Sequence, residues 1–169
     1  GGYFIGTSYD GKKIFEMLKD KKQGESVSIL DHANNKLLEI TKEYENEELP
    51  DNINCLGYDI NVFQESINKT FREYLVNYDY FEQILENYGF VNLTTEEAKK
   101  INLPRGVGNF NELFDIMTSE IKKDSKKRND YGISYKMTAG ERRISFLNKY
   151  FIFKKVRNVN INDINISLT

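Results

Sequence analysis

FREYLVNYDYFEQILENYGF, residues 71–90, is the stretch whose reading decides the fold. Tyr74, Tyr78, Phe81, Leu85 and Tyr88 recur at alternating steps of four and three, the spacing of one face of an amphipathic helix. Gly89 follows, and glycine readily takes the left-handed conformation that ends many helices. Phe90-Val91-Asn92-Leu93 then reads as a short strand. A helix passing through Tyr-Gly-Phe into a strand marks an α/β domain. On this reading Glu73 lies near the helix N-terminus, an acid among aromatic and aliphatic neighbours. A first-turn carboxylate is favoured there by the helix dipole. It is equally the chain's leading candidate for a ligand-binding acid, and position alone does not separate the two.

Upstream, residues 3–7 (YFIGT) form an apolar run flanked by glycine, expected to be a buried strand with a neighbour on each side. Residues 11–19 place Ile14, Phe15 and Leu18 at helical spacing, with lysines at the C-terminal end. Residues 27–30 and 36–40 are strand candidates around a turn at 32–35. The acidic segment 43–51 reads as a solvated loop, and 54–63 (NCLGYDINVF) returns to the sheet.

Downstream, Thr94 with Glu97 forms a capping box for a short helix that Pro104 ends. Asn109 and Glu112 can cap a second helix, with Phe110, Leu113, Phe114, Met117 and Ile121 turned inward. Residues 122–128 read as a basic polar loop. Thr138 and Glu141 form a further capping box, residues 150–156 a strand, and the Asn-rich tail from Arg157 is expected to fray. No internal repeat is visible. The pattern is one α/β domain with mixed strand directions.

Composition narrows the functional classes. The 169 residues suffice for one core, and 11 Tyr and 11 Phe without Trp make it strongly aromatic. A net charge of −2 means that any nucleic-acid contact must come from a local basic patch. The single cysteine, Cys55, excludes an internal disulfide and a cysteine-based zinc site, and suits a reducing compartment. No apolar run nears the roughly 18–20 residues that span a bilayer, and no signal peptide is visible, so no membrane partner is expected.

Most short motifs carry little chemistry. Ser8-Tyr9-Asp10-Gly11 resembles the Lys-x-Asp-Gly of nucleotidyl transferases, but Ser8 stands where the lysine nucleophile would be. Gly106-Val107-Gly108 lacks the third glycine of a dinucleotide fingerprint, with Asn111 in its place, and reads as a loop. His32 sits in a turn without ligand candidates at metal spacing. Cys55 reads as core, and the acids of 43–48 as a solvated surface rather than a metal site. Lys122, Lys123, Lys126, Lys127 and Arg128 are either a solvated face or contacts for RNA phosphates.

Four blocks, in order along almost the whole chain, resemble the mRNA cap guanine-N7 methyltransferases, especially those of large DNA viruses. Gly1-Gly2-Tyr3-Phe4-Ile5-Gly6-Thr7 is similar to that family's GGYFIGT strand. Gly57-Tyr58-Asp59-Ile60 resembles its G-x-x-Y-x-F strand. Glu73-Tyr74-Leu75-Val76 is similar to its E-[FY]-L-V, followed by the same aromatic helix and Tyr-Gly-Phe. ERRISFLNKYFIFKK (141–155) resembles the closing helix and strand of giant-virus versions.

The resemblance implies a class I, Rossmann-like, S-adenosylmethionine-dependent methyltransferase, of which this chain is the C-terminal, cap-binding half, with a mixed sheet and an inserted hairpin. GGYFIGT is then the fifth of seven strands and Gly1 an internal position. The Asp/Glu-x-Gly-x-Gly loop for the methyl donor does not occur within residues 1–169 and is expected upstream. The implied partners are a capped RNA 5′ end and the upstream half of the enzyme, or another capping-complex subunit. The implied location is cytoplasmic, in a virus factory.

Family resemblance maps the cap-guanine glutamate onto Glu73. The family's tyrosine beside the cap, in a Leu-Tyr pair, corresponds to Asn148 in Leu147-Asn148, with Tyr150 nearby. No residue is assigned to covalent or acid–base catalysis, because guanine N7 attacks the sulfonium methyl with a lone pair and no proton to remove. A carboxylate accepting from guanine N1–H and the 2-amino group would align the ring and reject adenine. Alternatives are a methyltransferase-like subunit that stimulates or scaffolds without catalysing, and an α/β domain that has lost its function.

Overall fold

A computed structural model describes residues 1–160. In chain order these form β1 (Tyr3–Tyr9), α1 (Gly11–Met17), β2 (Ser26–Leu30), β3 (Lys36–Lys42), β4 (Asp59–Gln64), β5 (Lys69–Tyr74), α2 (Tyr78–Asn87) and β6 (Phe90–Asn92). Then come α3 (Thr95–Lys99), β7 (Val107–Asn109), α4 (Phe110–Lys123), α5 (Ala139–Ser145) and β8 (Asn148–Lys155), with short 3₁₀ turns between.

The strands make two sheets. In the first, β8 is central: β1 lies along one edge, from Tyr3 opposite Lys154 to Tyr9 opposite Asn148, while β6 and β7 share the other edge at opposite ends. The second sheet has the order β2-β3-β4-β5. All pairings among the described residues are antiparallel, which corrects the expectation of mixed directions and of a single sheet with an inserted hairpin. β2–β3 and β4–β5 join through short reversals, which allow only antiparallel pairing, while β3 reaches β4 through the longer connection 43–58. In one, Asp31 Oδ1 accepts from the N–H groups of Ala33 and Asn35, both at 2.8 Å. In another, Asn68 adopts φ +51° and its N–H donates to the carbonyls of Gln64 and Glu65.

The stretch 71–90 divides where periodicity ran it together. Tyr74 and Glu73 belong to β5, with Glu73 opposite Ile60 and Phe71 opposite Val62. Glu73 is therefore a strand residue, not a first-turn helix residue. The helix starts after Asn77, whose Oδ1 accepts from Asp79 N–H at 3.1 Å and whose Nδ2 donates to Pro50 O and Asp51 Oδ1, both at 2.8 Å. Tyr78, Phe81 and Leu85 keep their helical face and pack against Phe151 and Phe153 of β8. Gly89 ends the run at φ +80°, its carbonyl accepting from Val156 N–H.

Other expectations shift locally. Residues 107–109 are a short strand, not a loop, because β8 offers a free edge there. Lys122 and Lys123 form the last turn of α4, and residues 125–129 a 3₁₀ helix, so the basic loop is largely helical. β1 is an edge strand among the described residues, with Tyr3 62% and Ile5 65% exposed, rather than a strand with two neighbours. Of the tail expected to fray, residues 161–169 lie outside those described.

Two apolar clusters hold the layers. One joins Ile14 and Leu18 to Ile29, Leu38, Ile40, Ile60 and Val62 on one face of the second sheet. The other joins α2 to the first sheet. They meet where Asp10 N–H donates to Leu147 O and Gly11 N–H to Val76 O. A Cβ on Gly11 would lie 2.4 Å from the Val76 carbonyl oxygen, so this close approach requires glycine.

Candidate functional site

Strand alternation decides which way β5 presents its side chains. Ladder partners share a face, so Phe71 and Glu73 lie on the side of Val62 and Ile60, the side that α1 covers elsewhere. β5 is the edge strand of its sheet, and this part of the face is open: Glu73 is exposed and Phe71 is 41% exposed. The Glu73 carboxylate has no hydrogen bond or ion pair among the described residues. Protein packed around it still pushes its carboxyl above the ordinary value by desolvation.

Tyr9 closes this region from the first sheet. Its hydroxyl accepts a hydrogen bond from Gln64 Nε2 of β4 at 3.1 Å. Burial pushes the Tyr9 hydroxyl up, the Gln64 bond pulls against that, and the Glu73 charge adds to the rise. The structure thus puts an unpaired carboxylate on the face that the anchored Tyr9 phenol also reaches, with Phe71 between Glu73 and the Gln64 end of the strand pair. Such a set can accept two adjacent N–H groups of a planar ligand and offer it a ring surface.

The turn that places Tyr9 is held by polar groups. Asp10 is buried, caps α1 through Lys12 N–H at 3.2 Å, and lies 3.4 Å from Lys149 Nζ. The Lys149 ammonium in turn sits 5.1 Å from the centre of the Tyr78 ring, and the Tyr78 hydroxyl hydrogen-bonds Ser8 Oγ at 2.9 Å.

The other sequence-derived candidates stand apart from Glu73. Asn148 is the ladder partner of Tyr9, but its Nδ2 donates to Ile144 O and Ser145 O at 3.2 Å each, capping the end of α5. Tyr150 is buried, and its hydroxyl donates to Arg105 O at 3.1 Å. Its ring lies over Gly108, where a Cβ would come within 2.4 Å of the phenol oxygen. Tyr150 is thus part of the core around β7. Lys122, Lys123, Lys126, Lys127 and Arg128 are exposed on α4 and the adjoining 3₁₀ helix. Lys127 lies 3.8 Å from both Glu120 and Asp130, and the Arg128 guanidinium lies over the Tyr135 ring. Lys122, Lys123 and Lys126 make no ion pair among the described residues.

Among the described residues no group of three or more His, Cys, Asp or Glu could hold a metal ion, and no helix is long and apolar enough to cross a membrane. His32 is exposed in its turn and Cys55 is buried. Tyr9 and Phe71 were missed as site residues. Alternation of Phe71 and Glu73 was the available local signal, and no local signal pointed to Tyr9.

Comparison of the sequence with protein-family models and with curated proteins finds no match.

Proposed function

We propose that this chain is the guanine-recognising, C-terminal half of an mRNA cap guanine-N7 methyltransferase of class I, Rossmann-like architecture. The observation that carries this reading is Glu73, an exposed carboxylate on an edge strand, unpaired among the described residues and on the same face as the Phe71 ring; the sequence resemblance gives it the place of the family's cap-guanine acid. Guanine presents N1–H and a 2-amino group side by side, and a carboxylate accepts both. Adenine presents no such donor pair, and leaves the acid unsatisfied.

The chemistry left to this chain is positioning. Holding the ring by its Watson–Crick edge points N7 away from Glu73, and alignment for in-line attack is the main contribution asked of the protein. S-adenosylmethionine supplies the methyl group. The residues described here do not make a donor site, since the glycine-rich loop is absent from residues 1–169, and the donor would be held mainly by the upstream half. The open edge of β1 and its exposed Tyr3 and Ile5 support a first sheet completed by further strands. Lys122, Lys123 and Lys126, exposed and without an ion pair among the described residues, are the cations proposed to meet RNA phosphates. Resemblance to viral enzymes puts the proposed work in a cytoplasmic virus factory.

Commitment of Asn148 to α5 favours a second reading, a methyltransferase-like subunit that stimulates a catalytic partner, because the family's aromatic contact is lost at that position. Retention on filters of RNA bearing a guanosine cap, against the same RNA uncapped, tests the first reading. Cap-dependent retention that Glu73→Gln abolishes is expected; equal retention of both RNAs would overturn it. Mixing with a chain that carries the donor loop separates the two readings: methyl transfer that depends on Glu73 marks the enzyme half. Transfer that is merely stimulated, and insensitive to Glu73, marks the subunit.

A further inference from the structure

We infer that Tyr9 is the platform on which the guanine held by Glu73 stacks, with Gln64 fixing the tilt of its ring; this rests on the guanine-binding reading of Glu73. Tyr9 is the last residue of β1, yet its hydroxyl is bonded to Gln64 on the second sheet. The ring therefore bridges the two sheets beside the face that carries Phe71 and Glu73.

The rings of the two apolar clusters are largely used by one another. Phe4, Phe81, Phe90, Phe151, Phe153 and Tyr78 form one network of ring contacts, and Phe15, Tyr44 and Tyr58 form another. Tyr9 and Phe71 join no aromatic ring among the described residues. Of the two, Tyr9 is the one held at its far end by a hydrogen bond, so docking a planar base costs it little rotamer freedom. Asn148 offers no ring, and the Tyr150 ring is enclosed around Gly108. A base has two recognition surfaces, edge and face. Glu73 supplies the edge contact and Tyr9 the face.

The test is calorimetric titration of the chain with the dinucleotide cap GpppA, using Tyr9→Leu, Tyr9→Phe and Glu73→Gln. Leucine keeps apolar bulk against the core that Tyr9 borders, and circular dichroism checks that each variant folds. Stacking predicts that Tyr9→Leu weakens binding roughly ten-fold or more, the scale of base–aromatic stacking, while Tyr9→Phe stays within about three-fold of the parent. A second readout is the proton spectrum of the bound base. Guanine H8 moves upfield in the parent and in Tyr9→Phe, and the shift is lost in Tyr9→Leu. If Glu73→Gln loses binding but Tyr9→Leu binds as the parent does, with the H8 shift intact, Tyr9 is not the platform and the guanine reading stands. If the parent does not bind GpppA, both fall.

Discussion

Tyr9 and Asn148 are partners across the β1–β8 ladder, but their side chains serve different parts of the molecule. The Tyr9 hydroxyl accepts from Gln64 on the second sheet, while the Asn148 amide donates to the last carbonyls of α5. One ladder rung thus ties the first sheet to two other elements, β4 through Tyr9 and the end of α5 through Asn148.

Replacing Asn148 by alanine removes two bonds to helix-end carbonyls. The expected cost is about 1–2 kcal/mol of stability, with affinity for GpppA unchanged. Urea denaturation and calorimetry check the two halves of this expectation. A loss of affinity with stability intact would return Asn148 to the cap.

Asn77 is buried and makes three bonds at once, capping α2 and holding the 50–51 backbone and side chain. Asn77→Ala should cost roughly 2–3 kcal/mol by summing a lost cap and two bonds to groups left behind. For a chain of this size that lowers Tm by roughly 5–10 °C. Differential scanning calorimetry checks it.

Tyr44 is 5% exposed, and its buried hydroxyl has no hydrogen-bond partner among the described residues. Desolvation, with a smaller contribution from Tyr58, pushes it up to about 12. A phenol whose pKa is raised by folding binds its proton more tightly in the folded state. The associated stability is fully present below pH ~10 and lost as pH rises towards ~12, by roughly 2–3 kcal/mol. Tyr44→Phe removes both the unsatisfied hydroxyl and this titration. The variant is expected to be as stable as the parent or about 1 kcal/mol more so at pH 7. It should also lose less stability between pH 10 and 12, as read from urea midpoints against pH. Tyrosines that do not touch Tyr44 are common to both proteins and cancel in the comparison.

Ile5 and Tyr3 are exposed on the edge strand β1, beside a groove of about 450 Å³ that Ile101 and Ile152 also line. Edge strands with apolar faces pair with other chains unless charged residues intervene. The chain alone is expected to self-associate as concentration rises, and Ile5→Lys to suppress this. Sedimentation velocity checks both.

Local chemistry was legible and long-range chemistry was not. The capping boxes at Thr94/Glu97 and Thr138/Glu141 form as their spacing predicts, because each is complete within four residues. Gly89 ends α2 for the same reason. Tyr74 misled because its four-residue step to Tyr78 fits a helix, whereas pairing with β4 and the Asn77 cap place it on a strand. Glu73 was recognisable as an acid worth testing. Its surroundings were not, since Tyr9 and Gln64 lie 55 positions apart and meet only through the packing of the two sheets. Likewise Lys149 finds Asp10 only once β8 lies against β1.

The central claim is that Glu73 reads the guanine edge through two accepted hydrogen bonds. Titration of the chain at pH 7 with caps bearing guanosine, inosine or adenosine tests it most directly, because inosine lacks only the 2-amino group. The account predicts affinity in the order guanosine, inosine, adenosine, with the order lost in Glu73→Gln. Guanosine affinity should also fall as pH drops, with a midpoint above the ordinary glutamate value of 4.5, since the acid must be ionised to accept both bonds. Equal affinity for the three caps in the parent, or an order that survives in Glu73→Gln, would contradict it.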